Sequence, residues 1–382
     1  MREKTVYLDY NATTPVDPEV AAVMLPYFAF HFGNPSSAHE YGIRARTAVE
    51  EARRRVAAFL NCTPGEIIFT GGGTESNNLG IMGCALARHS EGNHIITSAV
   101  EHPAVAEVCR ALEGRGFRVS FIPVDTYGMV DLDLLTRAIT KETILISVMH
   151  ANNEVGTIEP IEEIAALARA RNITFHTDAA QSAGKIPVDV SALGVDLLSI
   201  AGHKMYAPKG VGALFIRQGA GLIKITHGAG HEKNLRPGTE NVPGIVGLGK
   251  ACEIAQRDMD CNFYRMHFTR DRMREKLQSG LDDIRIHSHN EECTPNTLSV
   301  GFRNINASEL ILELTDVAVS AGSACHADMA TISHVLTAMK IPVEYARGTI
   351  RISTGKMTTE EEVDEAAEII IRKVRRLAGR KS

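Results

Sequence analysis

The order of apolar and polar residues along the chain predicts a sheet of buried strands that alternate with helices. From residue 66 onward, short β-rich apolar runs are followed by glycine-rich turns and by helical patterns, which is typical of a mainly parallel sheet with helices on both faces. Seven runs are predicted as the strands of this α/β sheet: 67–70, 93–98, 118–122, 143–149, 173–177, 197–200 and 211–216.

The patterns on either side of this alternation predict a second, smaller unit. A short strand over residues 5–9 comes first, and apolar residues at helical spacing predict a long helix over 242–258. Three alternating segments and a closing helix follow, over 284–288, 297–302, 317–320 and 358–377. We therefore expect a large domain over residues 16–254 and a smaller α+β domain formed by residues 1–15 and 255–382.

Composition and charge exclude several classes of function. The 382 residues are 44% hydrophobic and 23% charged, as in an ordinary globular protein. A net charge of −5 without a basic face argues against a nucleic-acid partner. No apolar run of about 18 residues predicts a membrane span, and the N-terminus lacks an apolar signal core. Seven cysteines in no regular array favour a reducing compartment, so we expect a cytoplasmic protein.

A lysine between two predicted strands is the first candidate for chemistry. Lys204 lies in an irregular turn with Gly202, Pro208 and Gly210. A desolvated lysine loses part of its preference for the ammonium form, and the neutral amine can form an imine with an aldehyde. Most lysines are solvated, so the turn alone favours an ordinary surface residue. The other candidates in the chain decide between the two interpretations.

Two further candidates follow predicted strands. Three glycines, 71–73, and Thr74 form a strand-to-helix turn whose backbone can approach a phosphate, although an ordinary turn explains the pattern equally well. Asp178 ends a buried parallel strand, where ligands bind in such sheets, and it precedes Lys204 by about one strand–helix–strand unit. Capping of a helix is the commoner role for an isolated aspartate.

Histidines and cysteines complete the candidates. His102 follows a strand and could lie over a planar ring or move protons near neutral pH. His227 and His231 are separated by glycines and lack a third ligand, so we predict no metal site. Cys325 lies in a loop of small residues after a strand, which suits an exposed nucleophile, and the neighbouring His326 would favour its thiolate.

Together these motifs closely resemble the cysteine desulfurase and selenocysteine lyase family of class V, fold-type I pyridoxal phosphate enzymes. The resemblance runs nearly end to end and in order, over the segments 8–13, 73–78, 100–103, 150–156, 176–181, 202–204, 236–239, 322–325 and 350–353.

The resemblance implies a role for each matching residue. Lys204 would bind the cofactor covalently, Asp178 would pair with the pyridine nitrogen and His102 would stack on the ring. Cys325 would attack the sulfur of the substrate, and Arg351 would clamp its carboxylate. The remaining implied contacts are with the cofactor and the substrate. Gly73, Thr74 and His203 would hold the phosphate, joined by Thr239 from the partner subunit of a homodimer. Gln181 and Asn152 would face the ring oxygen and neighbouring substrate atoms, and Asn11 would contact the substrate.

Two departures from the family pattern bear on the substrate. Ala201 replaces a serine that many cysteine desulfurases use to bind the phosphate. The residues after Cys325 look more like the selenocysteine lyase branch. The sequence therefore predicts removal of sulfur from L-cysteine, giving L-alanine and a persulfide on Cys325, with release of selenium from L-selenocysteine as the alternative. A sulfur or selenium acceptor protein is a further expected partner. An ordinary class V aminotransferase would not need Cys325, and a sulfur carrier would not need Lys204.

Overall fold

The computed structural model describes residues 5–321 and 332–379. Within these ranges the strands are β1 Val6–Tyr7, β2 Ile67–Thr70, β3 His94–Ser98, β4 Arg118–Ile122, β5 Thr143–Ser147, β6 Thr174–Asp178, β7 Leu197–Ala201, β8 Gly212–Ile216, β9 Ile284–Ile286, β10 Thr297–Phe302, β11 Val317–Ala318, β12 Ser320–Ala321 and β13 Thr349–Ser353.

The helices of the same ranges are α1 Pro18–Met24, α2 Pro26–Ala29, α3 Glu40–Leu60, α4 Gly73–Ala87, α5 Pro103–Glu113, α6 Leu132–Ala138, α7 Ile161–Arg169, α8 Val190–Leu193, α9 Glu232–Leu235, α10 Val242–Arg257, α11 Met259–Gly280, α12 Ala307–Glu313, α13 His334–Ala338, α14 Val343–Ala346 and α15 Glu360–Gly379. None of these helices is long and apolar enough to cross a membrane.

The central sheet contains the seven predicted strands in the order β2-β8-β7-β6-β5-β3-β4. Strands β7, β6, β5, β3 and β4 run parallel, while β8 is antiparallel to both of its neighbours. Every residue of β3, β5, β6 and β7 is buried, because helices cover both faces of the sheet. The mainly parallel α/β fold expected from the alternating pattern is confirmed.

A separate antiparallel sheet, in the order β12-β13-β10-β9, packs against α11 and α15. Its apolar core includes Leu277, Phe302, Ile350 and Ile370. The short N-terminal strand β1 pairs in parallel with β11, so the beginning of the chain lies beside its C-terminal part.

Strand β13 and helices α12 to α14 were not predicted, and two further elements differ from the sequence expectation. The run 317–320 forms two short strands, because β11 pairs with β1 whereas β12 pairs with β13. Helix α11 was not predicted. The buried apolar side chains among its 22 residues are Met266, Met273 and Leu277. The helix therefore has only a thin apolar stripe in a polar sequence.

Candidate active site

A cavity of about 250 Å³ lies at the carboxyl ends of the parallel strands. Ligands bind in this position in open α/β sheets because the strand ends and their following loops converge there. Strand β6 brings Asp178 to the cavity, the turn after β7 brings Lys204, and the loop after β3 brings His102. Arg351 reaches the same cavity from β13 of the smaller sheet.

The glycine-rich turn gives one wall of the cavity an open backbone. Gly72 has a φ of +146°, a conformation that favours glycine, and it leaves the N-terminus of α4 without a side-chain cap. Gly73 and Thr74 open this helix and line the cavity. A Cβ at Gly73 would come within 3.2 Å of the Ala201 Cβ, so only glycine fits without displacement. The first amides of a 15-residue helix thus face the cavity with their positive dipole end.

His203 lies beside this wall and lines the cavity too. Burial, together with the nearby cations of Lys204 and Lys209, lowers the pKa of His203 to about 4. Its Nδ1 lies 3.2 Å from the Thr13 hydroxyl. The imidazole is therefore neutral at physiological pH, where it serves as a hydrogen-bonding group.

Asp178 is held in a fixed orientation by two donors. The Asn77 amide donates to Oδ2 at 2.6 Å, and the backbone N–H of Ala180 donates to Oδ1 at 2.9 Å. The carboxylate is buried. Both of these donors are uncharged, so a cationic ligand group in the cavity could pair with the carboxylate.

His102 caps helix α5 with its own ring. Its Nδ1 accepts a hydrogen bond from the Ala104 N–H at 3.1 Å, which places the proton of the neutral ring on Nε2. Burial lowers the pKa of His102, with opposing contributions from Asp178, which raises it, and from Lys204, which lowers it. A neutral ring fixed by a cap is suited to lie against a planar ligand.

Lys204 sits in a short helical turn, Gly202–Lys204, directly after β7. Its Nζ donates to the carbonyl of Asn11 at 2.5 Å and to that of Ala12 at 2.9 Å. The amine is thereby directed into the cavity by the N-terminal segment, which is 192 positions away along the chain. Sequence patterns could suggest the turn but not this contact.

The same Asn11 carbonyl also accepts the Gln181 amide at 3.0 Å. Both residues line the cavity and are buried. The side-chain oxygens of both residues accept hydrogen bonds from the buried Lys185, at 3.0 Å for Asn11 and 2.7 Å for Gln181. Lys185 was not among the predicted site residues. The Asn11 side chain is thus committed to the protein interior, while its backbone oxygen faces Lys204.

Arg351 is held by two acceptors at the cavity. Nη2 donates to Asp9 Oδ1 at 2.8 Å, and Nη1 donates to the Asn153 carbonyl at 2.9 Å. Its buried Nε has no hydrogen-bond partner among the described residues. Arg351 also lines the cavity, and a guanidinium is suited to bind a carboxylate there.

Three predicted residues are placed differently from the others. Asn152 is fully buried, and its side chain bonds to the Val100 carbonyl and to the amides of its own loop. Its neighbours Asn153 and Glu154 line the cavity instead. Thr239 lies exposed on a loop. Cys325 lies outside the described residues.

Two titratable residues of the cavity lining were not singled out in the sequence. Burial raises the pKa of Glu154 to about 7, and its Oε2 accepts a hydrogen bond from Ser333 at 2.6 Å. His334 begins α13 and its Nε2 lies 3.0 Å from the Glu101 carbonyl. Both contacts join segments that are far apart along the chain, so no local pattern indicates them.

Comparison with known proteins gives a consistent result. Residues 6–366 match the model of the family described as aminotransferase class-V. The chain is 47% identical to the cysteine desulfurase IscS of Dictyoglomus turgidum over 98% of this chain and 96% of that protein. It is 42% identical to the cysteine desulfurase of Mus musculus over 98% and 82% of the two chains.

Solved structures with similar folds include proteins of the same kind. A NifS-like protein superposes with a TM-score of 0.92 at 40% identity, covering 98% of this chain and all of the other. A protein described as SspA in complex with cysteine superposes with a TM-score of 0.81 at 38% identity, over 93% and 100% of the two chains.

Proposed function

Since this chain belongs to the class-V aminotransferase family and is a pyridoxal phosphate-dependent cysteine desulfurase, we propose that it converts L-cysteine to L-alanine and transfers the sulfur to Cys325. One observation supports the proposal above all others. A lysine amine, an aspartate carboxylate and an arginine guanidinium line one cavity at the carboxyl end of the sheet.

The residues fit the cofactor by their chemistry. The uncapped N-terminus of α4, with Gly73, Thr74 and His203, would hold the phosphate, although Ala201 supplies no hydroxyl there. Asp178 would pair with the protonated ring nitrogen. When bound, pyridoxal phosphate withdraws electrons from the substrate α-carbon and so makes its C–H bond acidic.

The protein's own groups would carry the other parts of the reaction. Lys204 Nζ, held by two carbonyls, would take the α-proton and return it. Arg351, which lines the cavity, would bind the substrate carboxylate with its guanidinium. His102 would keep the ring in place and exclude water from one of its faces. Gln181 would donate its amide to the ring oxygen.

Sulfur transfer would be carried out by Cys325. Its thiolate attacks the sulfur of cysteine, a sulfur–sulfur bond forms and the carbon–sulfur bond breaks. The β-carbon of the substrate then takes up a proton, and the product leaves as L-alanine. The sulfur stays on Cys325 as a persulfide. The segment of small residues in the sequence supports this role. Because the persulfide must be discharged before the next turnover, we include a thiol-bearing acceptor protein as a partner.

We further propose that the active species is a homodimer in the cytosol. Exposed apolar residues between the end of α1 and the start of α3 support association, because each is more than half exposed: Leu25, Phe28, Phe30, Phe32 and Tyr41. Thr239, exposed in the isolated chain, would then reach the phosphate in the partner's cavity. Free thiols at all six described cysteines support a reducing compartment.

The test is product analysis on both candidate substrates. Wild type is expected to release alanine from L-cysteine and to form one persulfide per chain, and Cys325→Ala is expected to bind cofactor but to form no alanine from cysteine. Cys261→Ala, which removes an exposed thiol, is the matched control. Turnover of L-selenocysteine alone by the wild type would contradict the proposal and identify a selenocysteine lyase.

A further inference from the structure

Lys185 is a buried lysine that the proposed reaction does not use. It lies in the turn after β6, four residues beyond Gln181, and is 5% exposed. Lysines are almost never buried to this degree without a partner. The partners of Nζ are two side-chain amide oxygens, those of Asn11 at 3.0 Å and Gln181 at 2.7 Å. Burial lowers the pKa of Lys185 well below its ordinary value, with the cations of Lys204 and Arg351 adding to the effect.

These contacts determine which way each amide points. A lysine donates in either protonation state, so the amide oxygen of Gln181 must face Lys185 and its NH2 group must point away. That NH2 group donates to the backbone carbonyl of Asn11 at 3.0 Å. The reverse orientation would place an oxygen against a carbonyl and an NH2 group against the lysine, which breaks both hydrogen bonds.

The Asn11 side chain is likewise fixed by its hydrogen bonds. Its Oδ1 accepts from Lys185 and from Asn296 at 2.9 Å, and its Nδ2 donates to Thr297 at 2.8 Å and to the Asn153 carbonyl. All of these side chains are buried. The carbonyl that receives Gln181 therefore has a fixed position, and Lys185 contacts both partners of the Gln181–Asn11 hydrogen bond.

We propose that Lys185 is a positioning residue that fixes the Gln181 amide so that its NH2 group, and not its oxygen, is presented to the cavity. The inference rests on the proposed function, in which Gln181 donates to the ring oxygen of the cofactor. It predicts that Lys185 acts through Gln181 and not merely by filling space in the core.

The test uses Lys185→Met, which keeps the length and apolar volume of the side chain but removes the donor. The absorption maximum of the bound cofactor is expected to shift, and the cofactor is expected to bind about tenfold more weakly, the effect of one lost hydrogen bond. In a Gln181→Leu background, Lys185→Met is expected to change the affinity for the cofactor less than about threefold. The Gln181 amide, which Lys185 is proposed to position, is absent there. The melting temperature of the cofactor-free protein is measured separately.

Lys250→Met is the control, since this lysine pairs with Glu253 and Glu19 outside the cavity. It is expected to leave the spectrum unchanged whatever it does to stability. An unshifted spectrum in Lys185→Met, or an equal loss of affinity with and without Gln181, would overturn the inference. If Lys185→Met does not fold, Lys185→Leu, which also removes the donor, is used in the same comparison. A wild type that binds no cofactor would instead contradict the proposed function.

Discussion

Asp9 and Arg351 form a partly buried ion pair in which Arg351 Nη2 donates to Asp9 Oδ1 at 2.8 Å. The other carboxylate oxygen of Asp9 accepts from the Ser320 hydroxyl at 2.8 Å, and Ser320 lies directly opposite Arg351 in the small sheet. Asp9 thus ties the proposed carboxylate clamp to the strand that leads toward Cys325.

The first prediction concerns Asp9→Asn. The substitution keeps an acceptor but removes the charge that orients Arg351, and charge-assisted hydrogen bonds contribute about 1.5–3 kcal/mol. We expect KM for cysteine to rise about tenfold while kcat changes less, as measured by alanine formation over a range of cysteine concentrations. Asp133→Asn, at an exposed site in α6, is the control. A lower kcat at unchanged KM would show that Asp9 does not act through substrate binding.

The second prediction identifies the cofactor-binding lysine. Borohydride reduction of the holoenzyme is expected to attach the cofactor irreversibly to the peptide that contains Lys204, which mass spectrometry locates. Lys204→Ala is expected to lose at least about a hundredfold in activity, because Lys204 is the lysine that lines the cavity among the described residues. Lys209→Ala removes an exposed lysine five residues away and should retain both activity and label at Lys204. A label on Lys209 would refute the assignment.

The third prediction tests the proposed dimer by subunit complementation. Thr239→Ala and Lys204→Ala are each expected to be impaired at limiting cofactor concentration. If Thr239 serves the partner's cavity, a mixed dimer of the two variants contains one intact site, so activity should return toward half of the wild-type value. If Thr239 serves its own chain, neither site is intact and mixing restores nothing. Sedimentation of the active species provides the independent check.

The fourth prediction concerns Glu101, which is fully buried. Burial raises its pKa to about 8, although the Met149 amide and the Ser98 hydroxyl bond to one oxygen. In the unfolded chain this carboxyl titrates near 4.5. Between these values the folded state binds the extra proton, so stability falls as pH rises, by up to about 1.4 kcal/mol per pH unit.

Glu101→Gln cannot ionise and should escape this loss. The cofactor-free variant is therefore expected to gain stability relative to wild type as pH rises from 5.5 to 8.5, measured as the difference in melting temperature. Glu163→Gln, at an exposed position, should follow the wild-type profile. Parallel profiles for Glu101→Gln and wild type would contradict the assigned titration.

Much of the fold could be predicted from the sequence because its strands are continuous apolar runs. Strand β4 has its predicted bounds, and β5 ends two residues early, at Ser147, because Val148 and Met149 belong to the loop that leads to the cavity. Helix α11 could not be predicted, since a polar helix with a thin apolar stripe resembles a solvated segment.

The site was predictable only in part. Buried strands lead to Lys204 and His102, and Asp178 is the last residue of one. Because the carboxyl ends of parallel strands meet at one edge of the sheet, these three residues lie close together. Lys185 and Asp9 depend on partners 174 and 342 positions away, and no pattern in one sequence reports such pairs. Asn152 shows the converse. Its motif suggested a ligand contact, whereas its side chain bonds within its own loop.

The path of the N-terminal segment has a consequence for biosynthesis. Asn11, whose carbonyl holds Lys204, is itself held by Thr297, 286 positions later in the chain. At about 5–20 residues per second, a ribosome needs roughly 15 to 60 s to make the intervening chain. The central sheet can assemble during this interval, but the contact between Asn11 and Thr297 cannot form before Thr297 has been made. We therefore expect a nascent chain to acquire its cofactor only at the very end of translation or after its release.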